Sequence, residues 1–373
     1  MQPHKIFSHT GILINFTLLV TGLFFLFYGL VAAKEFLAPL VLAFILAILT
    51  FPLANKLESK GMKRIWTSII NILILLILAG LFFLVISWQM KTIVDDWEDI
   101  KETILPKIEK VEAFILQHTP MEEGELDEYK SDMGVGEEED EAEEEGEEEE
   151  GNEDNGEKGE QAMAVIGEAA GFLTDLLITF VYIFFFIHFR NRFKQFILKL
   201  FDKEKQAEVR EIISKSANVV QHYLIGRLLL MIVLVVLYGV GLWISGVENF
   251  IVVSIIASIL SLIPFIGNFF GYILAMAMGV FSGGDMTTLI GVTITFLFVQ
   301  FLDSYILQPI VLGGKLNVHP FFIIVSVILG NAIWGIVGMI LAIPIFAIIT
   351  VVSRNVPAFG AFGYLFSSDE KEE

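Results

Sequence analysis

A chain of 373 residues that is 55% apolar and only 18% charged, with mean hydropathy +0.71, lies outside the composition of soluble domains and reads as an integral membrane protein. The formal charge of −20 belongs to one segment, since residues 91–160 hold 29 of the 44 acidic residues and 6 of the 24 Lys and Arg. With no cysteine, a disulfide framework and a thiolate metal site are both excluded.

Taken in order, MQPHKIFSHT leads into about twenty apolar residues with no small-residue cleavage site, longer than a signal-peptide core. It reads as the first span. Apolar runs long enough to cross the bilayer as helix lie at 11–33, 36–54, 65–88, 166–188, 224–247 and 287–306. Trp66, Trp88 and Trp243 sit near run ends, as interfacial aromatics do. The loop 55–64 carries Lys56, Lys60, Lys63 and Arg64, and 189–215 carries eight further Lys and Arg. Both loops are expected on the cytoplasmic side, with the N-terminus.

Between the third and fourth runs, Trp97, Ile100, Ile104, Ile108, Val111 and Ile115 keep a helical period, which predicts an outer amphipathic helix. Residues 121–160, rich in Glu and Gly, predict a disordered solvated loop. The carboxylates there lack the spacing of a calcium loop. The basic loop also keeps a helical period through Phe193, Phe196, Ile197, Leu200 and Phe201, and is expected along the inner membrane surface.

Two later apolar stretches are interrupted. The first is broken by SLIPFIGNFFG, with Pro264, Gly267 and Gly271, and the second by GNAIWGIVG, with Gly335 and Gly338, and by Pro344. Backbone freed by Pro or Gly survives in lipid only when buried in protein or lining a watery cavity, so broken segments point to a transport site. GNFFG is equally a GxxxG contact for close helix packing. If the breaks make hairpins entering from opposite faces, they flank the helix carrying Gln300 and Asp303. An intramembrane carboxylate is expensive and is a functional candidate by default, though Asp303 near a span end also has Lys315 within reach as a partner. Asp175 and Arg227 sit near helix ends, where Arg227 can snorkel. His319, before Pro320, reads as a cap or interface residue rather than a proton relay.

The expected fold is therefore all-α, with about six full transmembrane helices and two broken or re-entrant helical hairpins. Its regions are spans 1 to 3 (1–90), the outer amphipathic and acidic segment (91–165), span 4 with the basic amphipathic helix (166–223), the transport core (224–354) and a cytoplasmic tail (355–373).

YLIGRLLLMIVLVVLYGVGL, LIPFIGNFFG and the run from LDSYILQPIVLGGKLNVHP to AIPIFAI resemble the C-terminal signature of the autoinducer-2 exporter family of bacterial membrane proteins. The spacing Asp303, Pro309, His319-Pro320 is the specific part. The resemblance implies a polytopic inner-membrane transporter of about eight membrane segments that can assemble as a homo-oligomer. It allows export of the furanone autoinducer-2 or sodium/proton antiport. The chain differs from the pattern at Asn268, where a second proline is common, and in its acidic insertion.

An enzyme is not expected: no His is followed by the Glu of HExxH, and GGKL lacks the first glycine spacing and the Ser or Thr of a phosphate loop. A passive channel or a scaffold remains as a rival. The expected transport path is Asp303, Gln300, Gln308, Asn268 and Arg227, with Pro264, Gly267, Gly271, Pro309, Gly335 and Gly338 as hinge or gate. No cofactor, metal or nucleic acid is expected; the partners are the lipid bilayer and a small polar solute or Na⁺ and H⁺. Both termini are expected in the cytoplasm.

Overall fold

The computed structural model describes residues 9–95, 154–263, 266–281, 283–312 and 317–368, with only the backbone described at 9–13, 82–83, 85–95, 154–166, 168–170 and 172. The predicted amphipathic helix after residue 95 and most of the acidic loop lie outside the described residues. Helices run α1 (His9–Ala32), α2 (Lys34–Ser59), α3 (Arg64–Asp95), α4 (Asp154–His188), α5 (Arg190–Lys199), α6 (Gln206–Ile244), α7 (Phe250–Leu260), α8 (Ile266–Phe281) and α9 (Met286–Leu302). A π turn (Asp303–Leu307) leads into α10 (Gln308–Val311), followed by α11 (Pro320–Asn355) and α12 (Gly360–Phe366). The chain is a multi-pass helical membrane protein with no strand among the described residues.

The expected spans correspond to α1, α2, α3, α4, α6 and α9. Two boundaries differ most: α4 begins at Asp154, inside the segment expected to be unfolded up to residue 160, and α6 begins at Gln206, inside the basic loop expected to lie along the membrane surface. Acidic residues at a helix start oppose no dipole and are favourable there, so α4 extends into polar sequence.

By length alone α11 is among six helices able to cross a membrane, but it folds back on itself. Gly335 has φ +63° and ψ −139°, and Trp334 beside it is also non-helical. A Cβ on Gly338 would stand 1.9 Å from the Gly330 carbonyl oxygen, and Phe322 stacks on Phe346 at 5.7 Å between ring centroids. Residues 320–333 and 336–355 are therefore the two arms of a hairpin.

The first hairpin is α7 and α8, of 11 and 16 residues. These cover about 16 and 24 Å against about 30 Å of hydrocarbon. Its break falls between Leu260 and Ile266, so Gly267 and Gly271 lie inside α8 rather than at the interruption. Both glycines have a packing reason: a Cβ on Gly267 would meet the Leu260 carbonyl oxygen at 1.6 Å, and one on Gly271 would meet Ala257 Cβ at 3.0 Å. Bare backbone lets the arms touch.

Polar contacts gather the basic loops at one end. The Arg190 guanidinium donates to both Glu58 oxygens at 2.8 and 2.7 Å and to Asn55 Oδ1 at 3.0 Å. Lys215 Nζ donates to Asn355 Oδ1 at 3.1 Å, and the His319 N–H donates to the Phe366 carbonyl at 2.8 Å. The turn of the α11 hairpin points away from this end, with Trp334 Nε1 donating to the Leu30 carbonyl at 3.0 Å. The α7–α8 hairpin enters from the other end, and its turn residue Ile263 packs with Val327, Met339 and Ile343 of α11. Two hairpins thus meet from opposite ends beside α6 and α9. Helix α5 leaves α4 at 66° and exposes Phe193, Phe196 and Ile197.

The Arg190 fork is mostly shielded, so losing it leaves Glu58 with only the looser contact to Arg64 at 3.7 Å. Arg190→Ala is expected to cost about 2 kcal/mol, while Arg190→Lys keeps the charge, loses the two-pronged geometry and costs less. Thermal unfolding of the purified variants checks the order.

Candidate functional site

The site is built on α9. Asp285 starts it cleanly, its side chain accepting from the Thr287 and Thr288 N–H groups at 3.0 and 3.1 Å. Small residues then press α9 onto α6: a Cβ on Gly241 would lie 2.2 Å from Thr295 Cγ2, and one on Gly291 would lie 2.7 Å from Ser245 Oγ. Lower down, Gly226 admits Leu312, which a Cβ would meet at 2.8 Å. Arg227 is thereby held beside the end of α10.

Pro309 explains the π turn. It has no N–H for the Tyr305 carbonyl, and its ring crowds that carbonyl in a regular helix. The chain widens instead, and the Gln308 N–H reaches back five residues to the Asp303 carbonyl. In an α-helix two residues five apart diverge by about 140°; the wider turn brings Gln308 back over Asp303. Its Nε2 donates to Asp303 Oδ2 at 2.7 Å.

Asp303 is 2% exposed, and its other oxygen, Oδ1, has no hydrogen-bond partner. Nearby, Asn268 Nδ2 donates to Gln300 Oε1, and Gln300 Nε2 donates to Ser304 Oγ at 3.0 Å. Asn268 Oδ1 and Arg227 Nε are buried without partners. The Tyr272 hydroxyl and Thr293 Oγ1 share a hydrogen bond of 3.0 Å.

These groups line one cavity of about 690 Å³ between α6, the α7–α8 hairpin, α9 and both arms of α11. All five expected path residues, Asp303, Gln300, Gln308, Asn268 and Arg227, line it. Tyr223, Ser261, Tyr272, Thr293 and Ser304 line it too, and sequence reasoning missed them. A signal existed for the last two: Thr293, Gln300 and Ser304 fall on one face of α9 at helical spacing.

The expected gate residues are divided. Pro264 lies outside the described residues, as does Lys315, the partner considered for Asp303. Gly267 and Gly271 sit in the α7–α8 seam, Pro309 makes the π turn, Gly335 makes the α11 turn and Gly338 packs on Gly330. Asp175 is exposed on α4 and does not line the cavity. His319 is a cap, its Nδ1 accepting from the Phe321 N–H at 3.2 Å. Among the described residues no group of three or more His, Asp or Glu is placed to hold a metal ion.

Chemically, the site offers one buried carboxylate that a glutamine orients and one oxygen free to take a proton or a cation. Amides, hydroxyls and the Arg227 guanidinium share the lining with it, along with an aromatic and aliphatic wall from Phe269, Phe296, Leu297 and Ile343.

Several known proteins are similar to this chain in sequence. YueF of Bacillus subtilis strain 168 is 29% identical over 185 residues, 49% of this chain and 50% of that protein. YrrI of the same organism is 32% identical over 129 residues, 35% and 36% of the two chains. PerM of Escherichia coli K12 is 24% identical over 346 residues, 90% of both. The first two are named as candidate transport proteins and the third as a candidate permease. The chain spans about half the length of YueF and about a third of YrrI. Residues 16–358 match the model of a family described as AI-2E family transporter, so both hairpins, α9 and the cavity between them fall within the match. The chain belongs to the AI-2E transporter family.

Proposed function

We propose that the chain is a secondary transporter that exports a small polar organic solute, such as autoinducer-2, from a bacterium across its inner membrane at the expense of an ion gradient. The observation that carries this is the cavity: about 690 Å³, between two hairpins entering from opposite ends, with a buried carboxylate on its wall. Organic ligand sites fall at about 300–1,000 Å³, whereas a bare cation needs only a few oxygens at contact distance. Volume therefore favours an organic solute over the second reading, a Na⁺/H⁺ antiporter. In this mechanism Asp303 exchanges a proton or cation, while Gln300, Gln308 and Asn268 hydrogen-bond the solute. The hairpins move alternately to open either side, and the basic end, with both termini, faces the cytoplasm.

The experiment is internal pH in proteoliposomes holding the purified protein, pulsed with autoinducer-2 and separately with Na⁺. Proton flux with the furanone, reduced about tenfold or more by Asp303→Asn, is the expected result. Flux driven by Na⁺ alone would establish the antiporter, and full coupled transport by Asp303→Asn would remove that residue from the mechanism.

A further inference from the structure

Resting on the reading of this cavity as a transport site, though not on the direction of transport or on exchange of proton for solute, we propose that the solute taken by this cavity is a small organic anion, bound by Arg227 together with a proton on Asp303. Two charged side chains line the cavity, Arg227 from α6 and Asp303 at the end of α9. They form no ion pair with each other. Asp303 Oδ2 is engaged by Gln308, Oδ1 has no partner, and Arg227 Nε is buried without one. The ion pairs among the described residues that join Glu58 to Arg64 and Arg190, and Glu211 to Lys215, do not include it.

Arg227 is half-buried on the cavity wall, with its Nε enclosed and unpartnered, and it forms no ion pair among the described residues. Its planar set of donors suits a carboxylate or phosphate, which it can bind through two parallel hydrogen bonds. When Asp303 is ionised the two charges of the cavity cancel, and an entering anion meets a buried carboxylate. When Asp303 holds a proton, Arg227 is the sole charge and attracts the anion. Proton and anion therefore raise each other's affinity, and the coupling is reciprocal.

The other titratable groups around Asp303 do not change this logic. Arg227 and Tyr238 face it from α6, Tyr223 and Tyr272 line the same cavity, and α11 contributes no titratable side chain to the lining. Asp303 is the one carboxylate in the lining. Asn268, Gln300 and Ser304 add hydrogen bonds for hydroxyls on the anion, and Phe269 and Phe296 offer a surface for its carbon skeleton.

The test uses the purified full-length protein and three five-carbon probes of one shape: D-ribonate (anion), ribitol (neutral) and 1-amino-1-deoxyribitol (cation). Thermal unfolding is followed by tryptophan fluorescence at acidic and at neutral pH. Ribonate alone is expected to stabilise, more so at acidic pH. Arg227→Gln should lower its apparent affinity about tenfold or more, and Arg227→Lys should restore part of it. Asp303→Asn should bind ribonate equally at both pH values. Equal stabilisation by ribitol, preference for the cation, or no stabilisation by any probe overturns the anion assignment. Unchanged pH dependence in Asp303→Asn overturns the shared proton. Unfolding temperatures without probe show that each variant folds. Because binding is read without flux, a protein that binds ribonate yet moves no solute in proteoliposomes sinks the transport reading and leaves the anion site standing; transport of a neutral solute without ribonate binding does the reverse.

Discussion

Gly338→Val is expected to separate the arms of the α11 hairpin and to lower the unfolding temperature more than other single changes in that element. A Cβ there would stand 1.9 Å from the Gly330 carbonyl oxygen and 2.7 Å from its carbon, both backbone atoms that cannot rotate aside. Overpacking a core typically costs about 1–3 kcal/mol, and a clash with backbone belongs at the upper end of that range. The change also widens the hairpin beside Met339 and Ala342, which pack against Ile263 of the other hairpin. Gly22→Ala is the control, because nothing stands within 4 Å of a Cβ at Gly22 and alanine favours helix over glycine. Thermal unfolding in detergent should show a large fall for the first and none for the second. Similar values would mean that the arms slide past one another freely, and the close contact would lose its meaning.

Pro309→Ala is expected to leave the fold intact and to cut coupled transport about tenfold or more. Alanine supplies the missing N–H to the Tyr305 carbonyl and removes the ring, so the π turn can relax to an α-helix. Gln308 then rotates away, and Asp303, 2% exposed, loses its one side-chain hydrogen bond. A hydrogen bond to a charged group contributes about 1.5–3 kcal/mol, which sets the expected factor at roughly 10 to 100. Gln308→Leu removes the same bond without touching the backbone. The two changes combined should lose little more than either alone, since both act through one contact. Flux in proteoliposomes measures all three, and additive losses would show that Pro309 acts elsewhere.

Much of the fold was written in apolar run length. The six spans and the second interruption at Gly335 follow from hydropathy and glycine placement, because lipid leaves an unpaired backbone few alternatives. The first interruption was harder to locate. Gly267 and Gly271 stand in a segment that looks broken but runs as helix through α8, since a glycine that buries backbone against a neighbour is indistinguishable in sequence from one that ends a helix. The polar face of α9 was half legible. Gln300 and Asp303 are conspicuous among apolar residues, whereas Ser304 and Thr293 are small and ordinary in membrane helices. Arg227 joins them only because Gly226 lets α6 approach Leu312, a contact between residues far apart in the chain. The π turn could have been suspected from a proline six residues after a buried acid; which side chain it would recover needed coordinates.

The hydrogen bond from Trp334 to the Leu30 carbonyl has a mechanical consequence. The described part of α1, 14–32, has no buried residue, so little else in the protein resists its movement. The tip of the α11 hairpin is tethered to this loosely held rod. Any tilt of the tip must drag the last turn of α1 with it or break that bond. The first helix is thus a rudder on the hairpin, and bilayer thickness and stiffness become part of the load against which the hairpin moves.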